Sequence, residues 1–114
     1  MAWFFRRKHQ RLTRLVSVRY LRDGIAGEGI IKDLSLSGSY ITGNTRVSLG
    51  MALAVQMFVP GDPEPLLIDR AIVKWVKKAE FGVDFDAPTP KVAERITTII
   101  STLVKTQHGS SRKV

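Results

Sequence analysis

Two short stretches hold the residues best equipped for chemistry. In the first, Arg7 and Arg11 stand four apart, with Arg6 ahead of them and Lys8, His9 and Gln10 between. In the second, Asp33-Leu34-Ser35-Leu36-Ser37-Gly38 sits where an extended apolar run breaks into a turn. A guanidinium is planar, permanently charged and grips phosphate oxygens through a bidentate fork. It also stacks on a purine ring or donates to guanine O6 and N7. Asp33 and Ser35 are two apart, so at a strand end their side chains point to the same side. A carboxylate there accepts from guanine N1–H and N2–H₂, the donors that separate guanine from adenine. The Ser35 hydroxyl adds a bond to base or phosphate, and Gly38 permits a positive φ and a close backbone approach. Together the two stretches suit a compact, anionic guanine nucleotide. Each alone also has a plainer reading: a solvated basic arm, and an Asx or serine turn that caps a strand.

The charge distribution points the same way. Of 18 Lys and Arg residues, seven lie in the first 22 positions, with no acidic residue before Asp23. The remaining basic groups are nearly balanced by the ten Asp and Glu residues, so the net charge of +8 belongs mostly to the N-terminal arm. A polyanion is therefore met first at that arm. With 114 residues, 44% of them hydrophobic, the chain makes one domain with a single core. It has no cysteine, which excludes thiol chemistry and a disulfide framework. No apolar run reaches the length of a membrane span. The opening Met1–Phe5 is too short for a secretory signal and its charges follow the apolar residues, so a cytoplasmic protein starting at or near Met1 is expected.

Catalysis is not expected. The two histidines, His9 and His108, lie in the basic arm and the polar tail. No Ser-His-Asp order, metal-ligand cluster or phosphate-cradling glycine loop is present, and Glu28, Glu64, Glu80 and Glu94 are scattered. The reading is of a binding protein with no catalytic residue, metal or cofactor.

The elements that must position the two stretches are strands. Val16, Val18 and Tyr20 alternate with Ser17 and Arg19 from Leu15 to Leu21, and Asp23-Gly24 and Gly27 supply turn chemistry. Further strands are predicted over about Gly29–Leu34, Ser39–Thr42, the run holding Leu53, Val55, Met57 and Val59, and Leu66–Val76. In a separate final strand after a hairpin at Lys77–Glu80, Phe81, Val83 and Phe85 face inward, alternating with Gly82, Asp84 and Asp86. Val92, Ile96, Ile99, Ile100 and Leu103 then recur at helical spacing, with Pro88 and Pro90 at the start and a stop near Gly109. Short antiparallel strands with one terminal helix indicate a mainly β fold, a small barrel that hides its strand edges. The expected division is a flexible basic arm over 1–14, barrel and helix over 15–106 and a disordered tail over 107–114.

Arg7-x-x-x-Arg11 followed by Asp33-x-Ser35-x-x-Gly38 resembles the PilZ domain, a bacterial receptor module for cyclic di-GMP. The resemblance continues through Val73-Lys74-Trp75 and Phe81-Gly82-Val83-Asp84-Phe85 and the helix after them, roughly residues 6–105. It implies a six-stranded antiparallel β-barrel with a C-terminal α-helix, its arginine arm closing over a ligand on the outer surface. By the same resemblance, Arg7 and Arg11 hold phosphates and guanine faces, and Asp33 and Ser35 read a guanine. Gly38 makes the turn that admits it, and Arg6 is a further phosphate or stacking contact. Trp75 lies near the ligand face, where stacking on a base and packing into the core are both open. Lys8 and His9 match no required position of the motif.

As a receptor, the chain changes the conformation of its arm on binding and signals to an unidentified downstream protein. The alternative is a small basic barrel that binds RNA or single-stranded DNA through a charged groove and aromatic platforms. The concentration of charge on one arm argues against nucleic acid. Trp3, Phe4 and Phe5 beside the basic residues suit a weak contact with an anionic membrane surface.

Overall fold

The computed structural model describes the backbone of residues 10–112 and the side chains of residues 16–102. Trp3, Phe4, Phe5, Arg6 and Arg7 fall outside the described residues. Six strands follow one another: β1 (Gln10–Arg22), β2 (Ile25–Leu34), β3 (Gly38–Gly43), β4 (Ala52–Phe58), β5 (Leu66–Lys77) and β6 (Glu80–Phe85). They close into an antiparallel barrel in the order β1-β2-β3-β6-β5-β4, and α1 (Pro90–Arg112) completes the chain. The mainly β class, the barrel and the terminal helix are those expected from the sequence.

Alternation built the walls. Val16, Val18 and Tyr20 are buried while Ser17 and Arg19 between them are exposed, and Phe81, Val83 and Phe85 point inward from β6. Strand boundaries are wider than alternation suggests. β1 starts at Gln10 rather than Leu15, because Gln10 and Arg11 pair with Leu34 and Asp33 of β2. Backbone pairing needs no hydrophobic pattern, so a basic sequence concealed it. β2 likewise starts at Ile25 and runs straight through Gly27, which the sequence marked as turn.

Gly27 has a packing reason. A Cβ there would lie 2.3 Å from the Tyr20 ring, and one at Gly43 2.2 Å from its hydroxyl. Tyr20 is fully buried and meets Phe81 edge to face, with centroids 5.1 Å apart. Its hydroxyl donates to the Thr45 carbonyl and accepts from the Thr45 N–H, both at 2.9 Å. Thr45 belongs to the segment joining β3 to β4, strands on opposite sides of the ring, so this segment must cross one barrel mouth. Val47 seals the crossing from within.

The helix begins where expected. The Thr89 hydroxyl accepts from the Val92 N–H at 3.2 Å as an N-cap, and Pro90 takes the first helical position. Ile96 and Ile99 are buried in the barrel core, with Val92 and Ile100 partly buried beside them. Arg95 clasps the β4–β5 loop, donating to Asp62 Oδ2 at 2.6 Å and to the carbonyls of Glu64 and Pro65. The Glu64 backbone N–H, and then Arg95, hold the Asp62 carboxyl below its usual 3.8. The helix continues beyond Gly109, where a stop was expected, to Arg112. One glycine costs a helix only about 1 kcal/mol, which does not force an end.

Candidate functional site

Two local irregularities aim the site residues. Along β2, Ile31 pairs with Ile41 and Asp33 with Tyr40, so Lys32 is an extra residue opposite no partner of its own. Along β5, Val73 pairs with Val83 and Trp75 with Gly82, leaving Lys74 extra in the same way. In an unbroken strand, residues two apart share a face. Ile31 and Val73 are buried, so without the bulges Asp33 and Trp75 would point into the core. Each added residue reverses that parity. Leu34 is buried three residues after Ile31, which only a bulged strand allows.

The result is a row across the outer surface. By Cα register Arg11 lies opposite Asp33, Asp33 opposite Tyr40, Tyr40 opposite Gly82 and Gly82 opposite Trp75. Four strand spacings make the row about 19 Å long, room for a flat dinucleotide. Lys32 and Lys74, the bulge residues, are exposed beside it. The backbone register thus brings together Arg11, Asp33 and Trp75, three residues singled out from the sequence. Arg6 and Arg7 precede the described residues, and the Arg11 side chain is not among those described.

Asp33 is half-buried, and among the described residues its carboxylate makes no hydrogen bond or ion pair. Its backbone carbonyl is pinned by the Ser39 hydroxyl at 2.9 Å, and Ser39 is wholly buried. Ser35 does not share the exposure of Asp33. It is 5% exposed, and its Oγ accepts from the N–H groups of Ser37 and Gly38, each at 3.2 Å. The chain bends at this point, since the Ser35 N–H reaches the Gly38 carbonyl at 2.9 Å. The Ser35 hydroxyl therefore sits inside the turn.

Gly38 is required for closeness rather than for a positive φ, which among the described glycines occurs only at Gly24, Gly50 and Gly61. A Cβ at Gly38 would stand 2.2 Å from the Val83 carbonyl oxygen, across the β3–β6 pair. Gly38→Ala must push these backbones apart, at an expected cost of about 1–3 kcal/mol by the scale of overpacking. Urea unfolding measures the loss, and an unchanged midpoint would show that the strands separate freely.

Trp75 is half-buried on the outer face rather than part of the core. It meets Tyr40 with ring centroids 5.0 Å apart and planes at 71°. Tyr40 was not singled out by the sequence. Its one signal was its place in alternation with buried Ser39 and Ile41, which turns it outward. Among the described residues no group of acidic or histidine side chains is arranged to hold a metal, and no helix is long and apolar enough to cross a membrane.

Comparison with known proteins agrees with this architecture. The family model for the PilZ domain matches residues 5–101. Among solved structures, the PilZ domain of CeSA from a cellulose-synthesizing bacterium superposes with a TM-score of 0.61. The two share 16% sequence identity over 86% of this chain and 98% of the other, a likeness of fold. No curated protein sequence matches the chain.

Proposed function

Because this chain belongs to the PilZ domain family, whose members are ligand-binding receptor modules for cyclic di-GMP rather than enzymes, we propose that it binds cyclic di-GMP on the outer barrel face. The observation that carries this reading is the register of Arg11, Asp33, Tyr40, Gly82 and Trp75 across five neighbouring strands. In this reading Asp33 accepts from guanine N1–H and N2–H₂. Arg7 and Arg11 take the phosphates and guanine faces, and Arg6 adds a further phosphate contact. Ser35 and Gly38 serve by holding the turn next to Asp33, since the Ser35 hydroxyl is occupied within it.

Binding to a polyanion draws the basic N-terminal residues toward the face, and a downstream protein reads the altered surface. Only a ligand with different affinity for the two arrangements can drive such a change. The alternative of an RNA or single-stranded DNA barrel gains no support from the matches.

Isothermal titration tests the reading. Cyclic di-GMP is expected to give saturable heat and cyclic di-AMP and GTP little, because only the first offers two guanines on one compact diphosphate ring. Absence of heat with cyclic di-GMP would remove the receptor reading.

A further inference from the structure

Tyr40 and Trp75 stand on strands that are not neighbours; β6 runs between them and places Gly82 opposite both. The gap left by that missing side chain is filled by the indole. A Cβ on Gly82 would lie 2.1 Å from Trp75 Nε1 and 2.5 Å from Cε2, far inside contact distance. Tyr40 is braced from the other direction, because its hydroxyl donates to Glu80 Oε1 at 2.5 Å. Glu80 is opposite Thr42, one step along the same outer face. The two rings therefore meet edge to face over a glycine floor, with an acid holding the outer ring in place.

We propose that Gly82 and the Tyr40–Glu80 pair are positioning residues that set Trp75 as a ledge on which a purine of the ligand stacks. The proposal rests on the cyclic di-GMP reading above and goes beyond it by assigning roles to three residues outside the arginine and Asp-x-Ser-x-x-Gly motifs. The ledge is built before the ligand arrives. A ring already fixed against glycine and a braced neighbour loses little freedom when a base covers it, so more of the stacking energy appears as affinity. A methyl at Gly82 would lift the indole from its floor. Loss of the Glu80 acceptor would remove one brace of the Tyr40 ring and loosen the edge contact that fixes the angle of Trp75.

The test uses the full chain carrying Trp3→Phe, which leaves Trp75 as the sole tryptophan. Gly82→Ala, Glu80→Ala and Glu80→Gln are compared with this parent by titration with cyclic di-GMP and by tryptophan emission, with circular dichroism to verify folding. Gly82→Ala is expected to shift Trp75 emission to the red and weaken binding about tenfold, within the range for loss of one base stack. Glu80→Ala should weaken binding less, and Glu80→Gln should restore it, since the amide oxygen still accepts from the Tyr40 hydroxyl. Unchanged affinity in Gly82→Ala despite a shifted emission would overturn the proposal, because ring placement would then be irrelevant to the ligand. Lost affinity with an unshifted emission would overturn it too, since the effect would bypass Trp75. If the parent itself fails to bind, the receptor reading falls and the proposal falls with it. If the parent binds and all variants match it, the proposal alone fails.

Discussion

Asp33→Ala reduces affinity for cyclic di-GMP by about 100-fold or more and leaves folding almost untouched. A carboxylate that accepts two guanine donors makes two charge-assisted hydrogen bonds, each worth about 1.5–3 kcal/mol, and about 2.7 kcal/mol is already 100-fold. The same side chain contributes little to the fold. It is half-buried on the outer face, and among the described residues its carboxylate takes no hydrogen bond or ion pair. The backbone function of this position, accepting from Ser39, survives the substitution. Thermal unfolding should therefore move by no more than about 2 °C, as for an ordinary surface change. Asp33→Asn sharpens the experiment, since an amide oxygen keeps one acceptor while the NH₂ opposes a guanine donor. Titration and a melting curve on each variant decide the matter. Full affinity in Asp33→Ala would mean that guanine is not read here.

Tyr20→Ala has the reverse signature: a loss of about 3–5 kcal/mol in stability, the range for deleting a buried aromatic ring. The ring is fully buried, packs edge-on against Phe81, and fills the space cleared by Gly27 and Gly43. Neither glycine can refill the cavity. The substitution also strands the N–H and carbonyl of Thr45, both of which bond to the Tyr20 hydroxyl. Tyr20→Phe isolates that second contribution and is expected to cost about 1–3 kcal/mol, the penalty for polar groups left without partners. Natural domains of this size retain only about 5–15 kcal/mol, so Tyr20→Ala leaves little in reserve. Urea denaturation would show a lower midpoint at similar slope for both variants. An unchanged midpoint in Tyr20→Phe would mean that solvent already satisfies Thr45.

Much of the barrel was legible because its walls obey a two-residue rhythm. Val16, Val18 and Tyr20, and again Phe81, Val83 and Phe85, announced their inward faces without any knowledge of neighbours. The helix was legible for the same reason at a different period, and Ile96 and Ile99 are buried as that period requires. Within the site, the residue types that suit a guanine nucleotide were visible, but their directions were not. The same-side expectation for Asp33 and Ser35 assumed a strand continuing past Leu34, whereas the chain bends at Ser35 and folds its hydroxyl inward. For Gly38 the sequence offered both a positive φ and a close backbone approach, and the fold selects the second by bringing up the Val83 carbonyl. Tyr40 escaped notice because its importance comes from Trp75 and Glu80, both far away in sequence.

The bulges at Lys32 and Lys74 carry a consequence for how relatives of this chain are compared. Insertions and deletions of one residue are usually discounted in alignments as drift. Here the loss of either lysine would leave every motif letter intact and restore plain alternation, so that Asp33 directly after Ile31, or Trp75 directly after Val73, would still face outward. A homologue one residue shorter in either interval would therefore keep the same outward row. Counting by twos from Ile31 or Val73 thus misassigns the face of Asp33 and Trp75, whereas the strand register does not. Genomic surveys of such domains would lose receptors by rejecting relatives for a one-residue gap in either interval.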